Sequence, residues 1–228
     1  MEAAAPPVAV AKPESSFLTR VFMWMFLGLA ITGGVAALIG SDDALLTTIT
    51  ESPGIVIGVV IGQIGLVLAI SFGLNRMSAG TATVLFLLYS ALVGFTFAMV
   101  FELYTTQSIF TTFLIAAAMF GALAVWGATT GADLSKVGAI AFAALIGLII
   151  ATVVNIFVAN EALYWITTYA GVIIFAVLTA YDMQKLAKIQ REGAGENEGR
   201  LAIFGALALY LDFINLFLFL LRIFGQRR

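Results

Sequence analysis

The sequence predicts an all-α membrane protein with seven transmembrane helices and no soluble domain of its own. Three observations carry that expectation. Of the 228 residues 62% are hydrophobic and 11% charged, whereas a soluble domain carries about a quarter charged residues. The apolar residues gather into seven stretches, each near the roughly 20 residues that an α-helix needs to cross the hydrocarbon. The segments between them alternate in charge. A β-barrel would instead show short alternating segments of about ten residues, and the sequence has none.

Residues 1–16, MEAAAPPVAVAKPESS, read as a flexible cytoplasmic tail, and residues 17–228 as one membrane domain. The tail is no signal peptide, because Lys12 is its one basic residue and the apolar stretch that follows is too long. Span 1 runs from about Phe17 to Gly40, span 2 from Gly54 to Leu74, span 3 from Thr81 to Phe101 and span 4 from Ile109 to Gly127. Span 5 covers Val137 to Val158, span 6 Ala162 to Tyr181 and span 7 Leu201 to Leu221. Loop 6, Met183 to Arg200, is the longest and most polar connection and reads as a flexible linker around REGAGENEG.

Loops 1, 3 and 5 carry Asp42, Asp43, Glu51, Glu102 and Glu161 and no Lys or Arg. The N-terminal region and loops 2, 4 and 6 carry Lys12, Arg20, Arg76, Lys136, Lys185, Lys188, Arg191 and Arg200. The positive-inside rule puts that second set in the cytoplasm, which implies a multi-pass protein with a cytoplasmic N-terminus; the resemblance described below implies the bacterial inner membrane. Arg222, Arg227 and Arg228 follow span 7 and break the rule if that span crosses. Either the earlier spans dominate or span 7 is re-entrant; a full crossing is the reading adopted.

Gly54, Gly58 and Gly62 form a stripe on span 2, with Ser90–Gly94 and Ala117–Gly121 as similar small pairs. Small residues let neighbouring helices approach closely, and packing within the chain is the expectation. They select no oligomeric state. Trp24, Trp126 and Trp165 lie near span ends, as interfacial anchors do.

The charge balance of −2 and the lack of a basic run argue against nucleic acid as a partner. With neither cysteine nor histidine, thiol nucleophiles, most zinc sites and a Ser-His-Asp triad are excluded. All four lysines lie outside the span interiors, leaving no Schiff-base site for retinal. Proton handling therefore falls to carboxylates. No enzyme activity and no resident cofactor are expected.

Two acids break the apolar pattern. Asp182 closes span 6 in TAYDMQKL, and Asp212 sits in mid-span 7. A carboxylate at that depth is expensive, faces protein or water, and marks a functional site by default. Asp212, Asn215 and Arg222 share one sector of the span 7 helix. Asp182 could instead pair with Lys185 one turn on. By rise per residue Asp212 lies roughly 16 Å from Leu201, so the acids meet only if the helices are offset. If they do meet in a partly dry site, one proton would be shared between them. Gln63, Glu102 and Asn155 are further polar residues in or at the ends of spans, read as interhelical hydrogen bonds with weaker claims on a pathway. An intramembrane aspartyl protease would also use two carboxylates, but LYLD around Asp212 lacks the flanking glycines that such enzymes carry.

AYDMQKL and LYLDFINLFLFLLRIFG, with LFLLYSALVGFTFA in span 3 and TTYAGVIIFAVLTAYD in span 6, closely resemble the signatures of the Bax inhibitor-1 family, also called the transmembrane Bax inhibitor motif family. The bacterial YccA-like branch looks nearest. The resemblance covers Arg20 to Arg228 and implies two three-helix layers around a central C-terminal helix. It also implies a pH-sensitive calcium leak whose sensor is a carboxylate pair, here Asp182 and Asp212, latched by an arginine that falls on Arg76. Calcium is then the permeant ion, for which the two carboxylates are the candidate ligands, with Glu102 at the opposite mouth as a further oxygen donor. Some relatives carry an acid in the second span where this chain has Gln63. The branch is also linked to restraint of a membrane-bound AAA protease, a role that needs a binding surface and no conduction. Beyond membrane lipid and such a protease, the sequence names no partner.

Overall fold

The computed structural model describes residues 16–73, 76–193 and 195–228, apart from the side chain of Glu196; the tail expected at residues 1–16 lies outside them save Ser16. Eight α-helices follow in order: α1 (Phe17–Gly40), α2 (Asp43–Thr50), α3 (Pro53–Gly73), α4 (Ala79–Leu103), α5 (Thr106–Thr129), α6 (Ser135–Val158), α7 (Glu161–Glu192) and α8 (Glu198–Phe224). All but α2 are long and apolar enough to span a membrane.

Most starts follow from local chemistry. Ser16, Asp42, Ser78, Thr105 and Asn160 each accept a backbone N–H of the first turn, satisfying a donor that the helix itself cannot. Pro53 opens α3, where its missing N–H costs nothing. Between α6 and α7 the chain reverses through Ala159 in the left-handed region (φ 51°), and the Asn155 side chain accepts the Asn160 N–H across that turn.

The helices form two three-membered layers around α8. In one, α1 and α3 both pack on α4; in the other, α5 and α6 both pack on α7. The central helix touches α1, α4, α5 and α7, leaving α3 and α6 as the outer members. Its enclosure is polar as well as apolar. Tyr210 is fully buried, and its hydroxyl donates to Thr32 Oγ1 at 2.6 Å, which in turn donates to the Ser90 carbonyl at 2.9 Å. The edges of Phe86 and Tyr89 meet the same ring, so one face of α8 is tied to the first layer.

Helix α8 is 27 residues or about 40 Å long, enough to cross the hydrocarbon core. Its last residues bind the α4–α5 corner. Tyr104 and Arg227 form an antiparallel bridge, Thr105 N–H donates to the Gln226 carbonyl at 2.9 Å, and Arg228 N–H donates to the Leu103 carbonyl at 3.2 Å. The three arginines that break the charge rule are each engaged there. Arg228 pairs with Glu102 at 3.5 Å, and Arg227 hydrogen-bonds Tyr104, which raises its already high pKa. Arg222 lies over the rings of Tyr164 and Phe219.

Three sequence expectations change. Loop 6 is not a long linker, because α7 continues ten residues past Asp182 to Glu192, with Met183, Leu186 and Ala187 buried at helical spacing. Loop 1 contains the short helix α2. The glycine stripe of span 2 is not used within the chain: a Cβ on Gly54 or Gly58 would meet nothing within 4 Å, and on Gly62 only Leu92 at 3.5 Å. Gly121 is likewise open, whereas Gly94 does admit a close approach, a Cβ there falling 2.7 Å from the Thr32 carbonyl. The stripe is idle because α3 leans on its layer only through α4, where Gln63 donates to the Leu92 carbonyl (2.8 Å) and Thr96 Oγ1 (2.7 Å).

Candidate functional site

The extension of α7 resolves the offset between the two acids. Asp182 lies ten residues, about 15 Å, below the tip of α7, and Asp212 lies fourteen residues, about 21 Å, from the start of α8. Both therefore sit well inside the bundle at similar depth. They line one cavity of about 1070 Å³ bounded by α6, α7 and α8.

The cavity is largely apolar. Along α8 its wall takes residues at three- and four-residue steps from Leu201 to Arg222, and this stripe includes Asp212 and Asn215. The polar sector expected on this helix thus faces the cavity, with Asn215 Nδ2 donating to the Leu211 carbonyl at 2.8 Å. Asp212 is 4% exposed, and its Oδ2 is buried without a hydrogen-bond partner. Asp182 is half-buried, and no ion pair to Lys185 forms; Lys185 instead lies over the Phe204 ring at 5.9 Å. Among the described residues neither carboxylate has a cationic partner within 4 Å.

Two aromatic rings shape the cavity. At the Arg222 end, Phe219 stacks on Phe175 and occupies the space that a side chain at Gly171 would need, 2.6 Å from its Cβ position. Beside Asp182 the Tyr181 ring takes the corresponding space at Gly138, its Cδ2 2.5 Å from the Cβ position. Beyond Tyr181 lies a polar cleft of about 660 Å³ between the α5–α6 loop and the α7 extension. Tyr181 and Lys185 line both spaces, so the cleft adjoins the cavity. Gln184 holds the loop in place, accepting from the Leu134 N–H and donating to the Ala132 carbonyl. Ser135 donates to Asp133 through its hydroxyl and its N–H, which holds that carboxyl below the usual range and keeps it ionised.

The arginine latch is not made. Arg76 is exposed in the turn after α3, its N–H donating to the Gly73 carbonyl at 2.8 Å, and its side chain makes no hydrogen bond or ion pair among the described residues. The basic residue that does bind back at this corner is Arg200, which donates to the Met77 carbonyl at 3.4 Å and to Asn197. Glu102 and Asn155 lie at the far end, the first paired with Arg228 and the second closing the α6–α7 turn. Neither joins the pair. Among the described residues no three metal-ligating side chains cluster. Calcium takes six to eight oxygens, more than two carboxylates and Asn215 supply.

Sequence reasoning missed Tyr181, Gly138, Phe219 and Gly171 as the residues whose packing shapes the cavity. Their signal was present, since each glycine faces a bulky aromatic, but matching one helix to another needs the packing.

A multi-pass helical membrane protein with a central carboxylate-bearing helix is the class that this fold and site define. Residues 14–228 match the family model described as inhibitor of apoptosis-promoting Bax1, and the chain belongs to that Bax inhibitor-1 family. It is 45% identical to the inner membrane protein YbhL of Escherichia coli (strain K12), over 93% of this chain and 92% of that one. An uncharacterized protein of Borreliella burgdorferi is 42% identical over 94% of each chain. One of Deinococcus radiodurans is 40% identical over 93% of this chain and 91% of its own.

Proposed function

We propose that this family member is a pH-sensitive cation leak of the bacterial inner membrane, calcium being the permeant ion, with Asp182 and Asp212 as its gating pair. The single observation that carries the reading is their shared cavity. Two carboxylates line one largely apolar space, the Oδ2 of Asp212 without a hydrogen-bond partner, and a polar cleft adjoins that space on the side that carries the loop lysines and arginines. That side is assigned to the cytoplasm by the positive-inside rule.

Two like charges in one poorly hydrated space are costly, so the pair holds a proton while the helices stay together. A second proton removes the remaining charge; loss of the first leaves two charges that repel. Either change biases the packing of α7 against α8, and outward passage requires Phe219 to leave Gly171. Arg76 stands outside this mechanism in the conformation described.

The test is calcium entry into proteoliposomes holding the purified full chain, followed across a pH series. The expected result is a flux that varies with pH in the wild type and is flat in Asp182→Asn and in Asp212→Asn. Flux no greater than that of protein-free liposomes at every pH would reject conduction. The regulatory role on a membrane-bound AAA protease would then take its place.

A further inference from the structure

We propose that the lateral groove between α6 and α8 binds one phospholipid from the leaflet at the Glu161 end. Arg222 takes its phosphodiester, and one acyl chain runs along α8 past Asn215 to Leu211. The inference does not depend on conduction.

Helix α8 is the most buried of the spans, yet one stripe of it stays uncovered. Leu211, Asn215, Leu218 and Arg222 are half-buried, whereas the residues between them are buried. The stripe is open because α6 rests on α7 rather than on α8, which leaves a furrow with α8 as its floor and α6 as its far wall. Phe142, Ile149 and Val153 line that space while remaining 61%, 56% and 49% exposed. With Gly138 against Tyr181 and Gly171 against Phe219, the antiparallel register puts Phe142 about level with Asp212 and Val153 about level with Arg222. Floor and wall therefore run along the same half of the bundle. From Arg222 to Leu211 is eleven residues, about 16 Å of helix, which is half of the roughly 30 Å hydrocarbon core. An acyl chain that starts at Arg222 ends beside the carboxylate pair.

An unmet cation marks the mouth of the furrow. Arg222 lines the space, half-buried and two residues from the end of α8. A guanidinium is a planar fork of N–H donors. Its neighbours here are the rings of Tyr164 and Phe219, and among the described residues no acceptor receives its hydrogens. The acids at this end do not answer it. Glu102 pairs with Arg228 at 3.5 Å, and Glu161 is exposed in the first turn of α7 with no ion pair among the described residues. Asp212 lies ten residues, about 15 Å, deeper along α8. The remaining cation, Arg227, is hydrogen-bonded to Tyr104. A phosphodiester accepts two parallel N–H bonds from such a fork, and a phospholipid brings that anion together with the apolar chain that the furrow fits.

The test uses the full chain, purified in detergent and stripped of lipid. The probes are palmitoyl-oleoyl phosphatidylglycerol and palmitoyl-oleoyl glycerol, which has the same chains and no phosphate. Native mass spectrometry counts the lipid retained, and the phospholipid is expected to bind more tightly. Arg222→Gln should weaken the phospholipid about 5-fold and leave the diacylglycerol unchanged. A second measurement needs no substitution. Phosphatidylglycerol with a diazirine near the end of one acyl chain, added at one lipid per protein, should cross-link mainly to Phe142 and Leu211 on irradiation. Equal retention of the two lipids, or a phospholipid preference that survives Arg222→Gln, would overturn the proposal. So would cross-links centred on the exposed helix α3, or displacement of the phospholipid by inorganic phosphate at matched ionic strength, which would make Arg222 a plain anion site.

Discussion

Replacing Gly127 by alanine probes the α5–α7 contact that sets the height of Asp182. A Cβ at Gly127 would stand 2.9 Å from the carbonyl carbon and Cα of Ala180, and closer still to its oxygen. Those atoms are backbone in mid-helix and cannot rotate aside, so the two helices must part by about half an ångström or more to reach ordinary contact. Overpacking of this kind costs about 3 kcal/mol when nothing yields. The better helix propensity of alanine offsets about 1 kcal/mol of that. The net of about 2 kcal/mol corresponds to a fall of about 4–8 °C in the unfolding midpoint for a chain of this size. Gly58→Ala is the matched control, since its Cβ meets nothing within 4 Å; it should leave the midpoint level or raise it by about 2–4 °C. Circular dichroism melts of the three proteins in one detergent decide the matter. If Gly127→Ala melts no lower than wild type, or Gly58→Ala falls as far, the close α5–α7 approach is wrong.

Three further predictions follow from the packing. Thr32→Val strands the buried Tyr210 hydroxyl and should cost about 1–3 kcal/mol, most of it recovered when Tyr210→Phe is added; chemical unfolding of the single and double variants measures both. Removing Gln226–Arg228 deletes the acceptor of the Thr105 amide and the partner of Glu102, so hydrogen exchange at Thr105 should quicken while that of Tyr210 is unchanged. Arg76→Ala should change stability by less than about 0.5 kcal/mol and leave calcium flux at neutral pH unaltered, as read in the proteoliposome assay; a rise in flux would place Arg76 on the pair in some other conformation.

The spans were readable because the bilayer imposes a length and a hydropathy on each, and Asp212 stood out because a mid-span carboxylate has no cheap surroundings. The end of span 6 was misjudged for a physical reason. Hydropathy falls at Asp182, but the helix does not, and the register of Met183, Leu186 and Ala187 carries it on as an amphipathic extension. That extension brings the two acids level. The glycine stripe misled in the opposite way, since small residues permit close packing without requiring it: Gly94 and Gly127 are used, Gly54 and Gly58 are not. The last arginines, out of place by charge alone, are held by Glu102, Tyr104 and Tyr164, partners that only the fold brings near.

The claim that Asp182 and Asp212 act as one proton-binding unit is tested most directly by a double-mutant cycle on the pH profile of calcium flux in proteoliposomes. Asp182→Asn and Asp212→Asn should each remove the pH dependence, and the double variant should add little to either, because the second substitution acts on a unit already disabled. Two single variants that keep the full wild-type profile, or a double variant whose loss equals the sum of two partial losses, would contradict a shared proton.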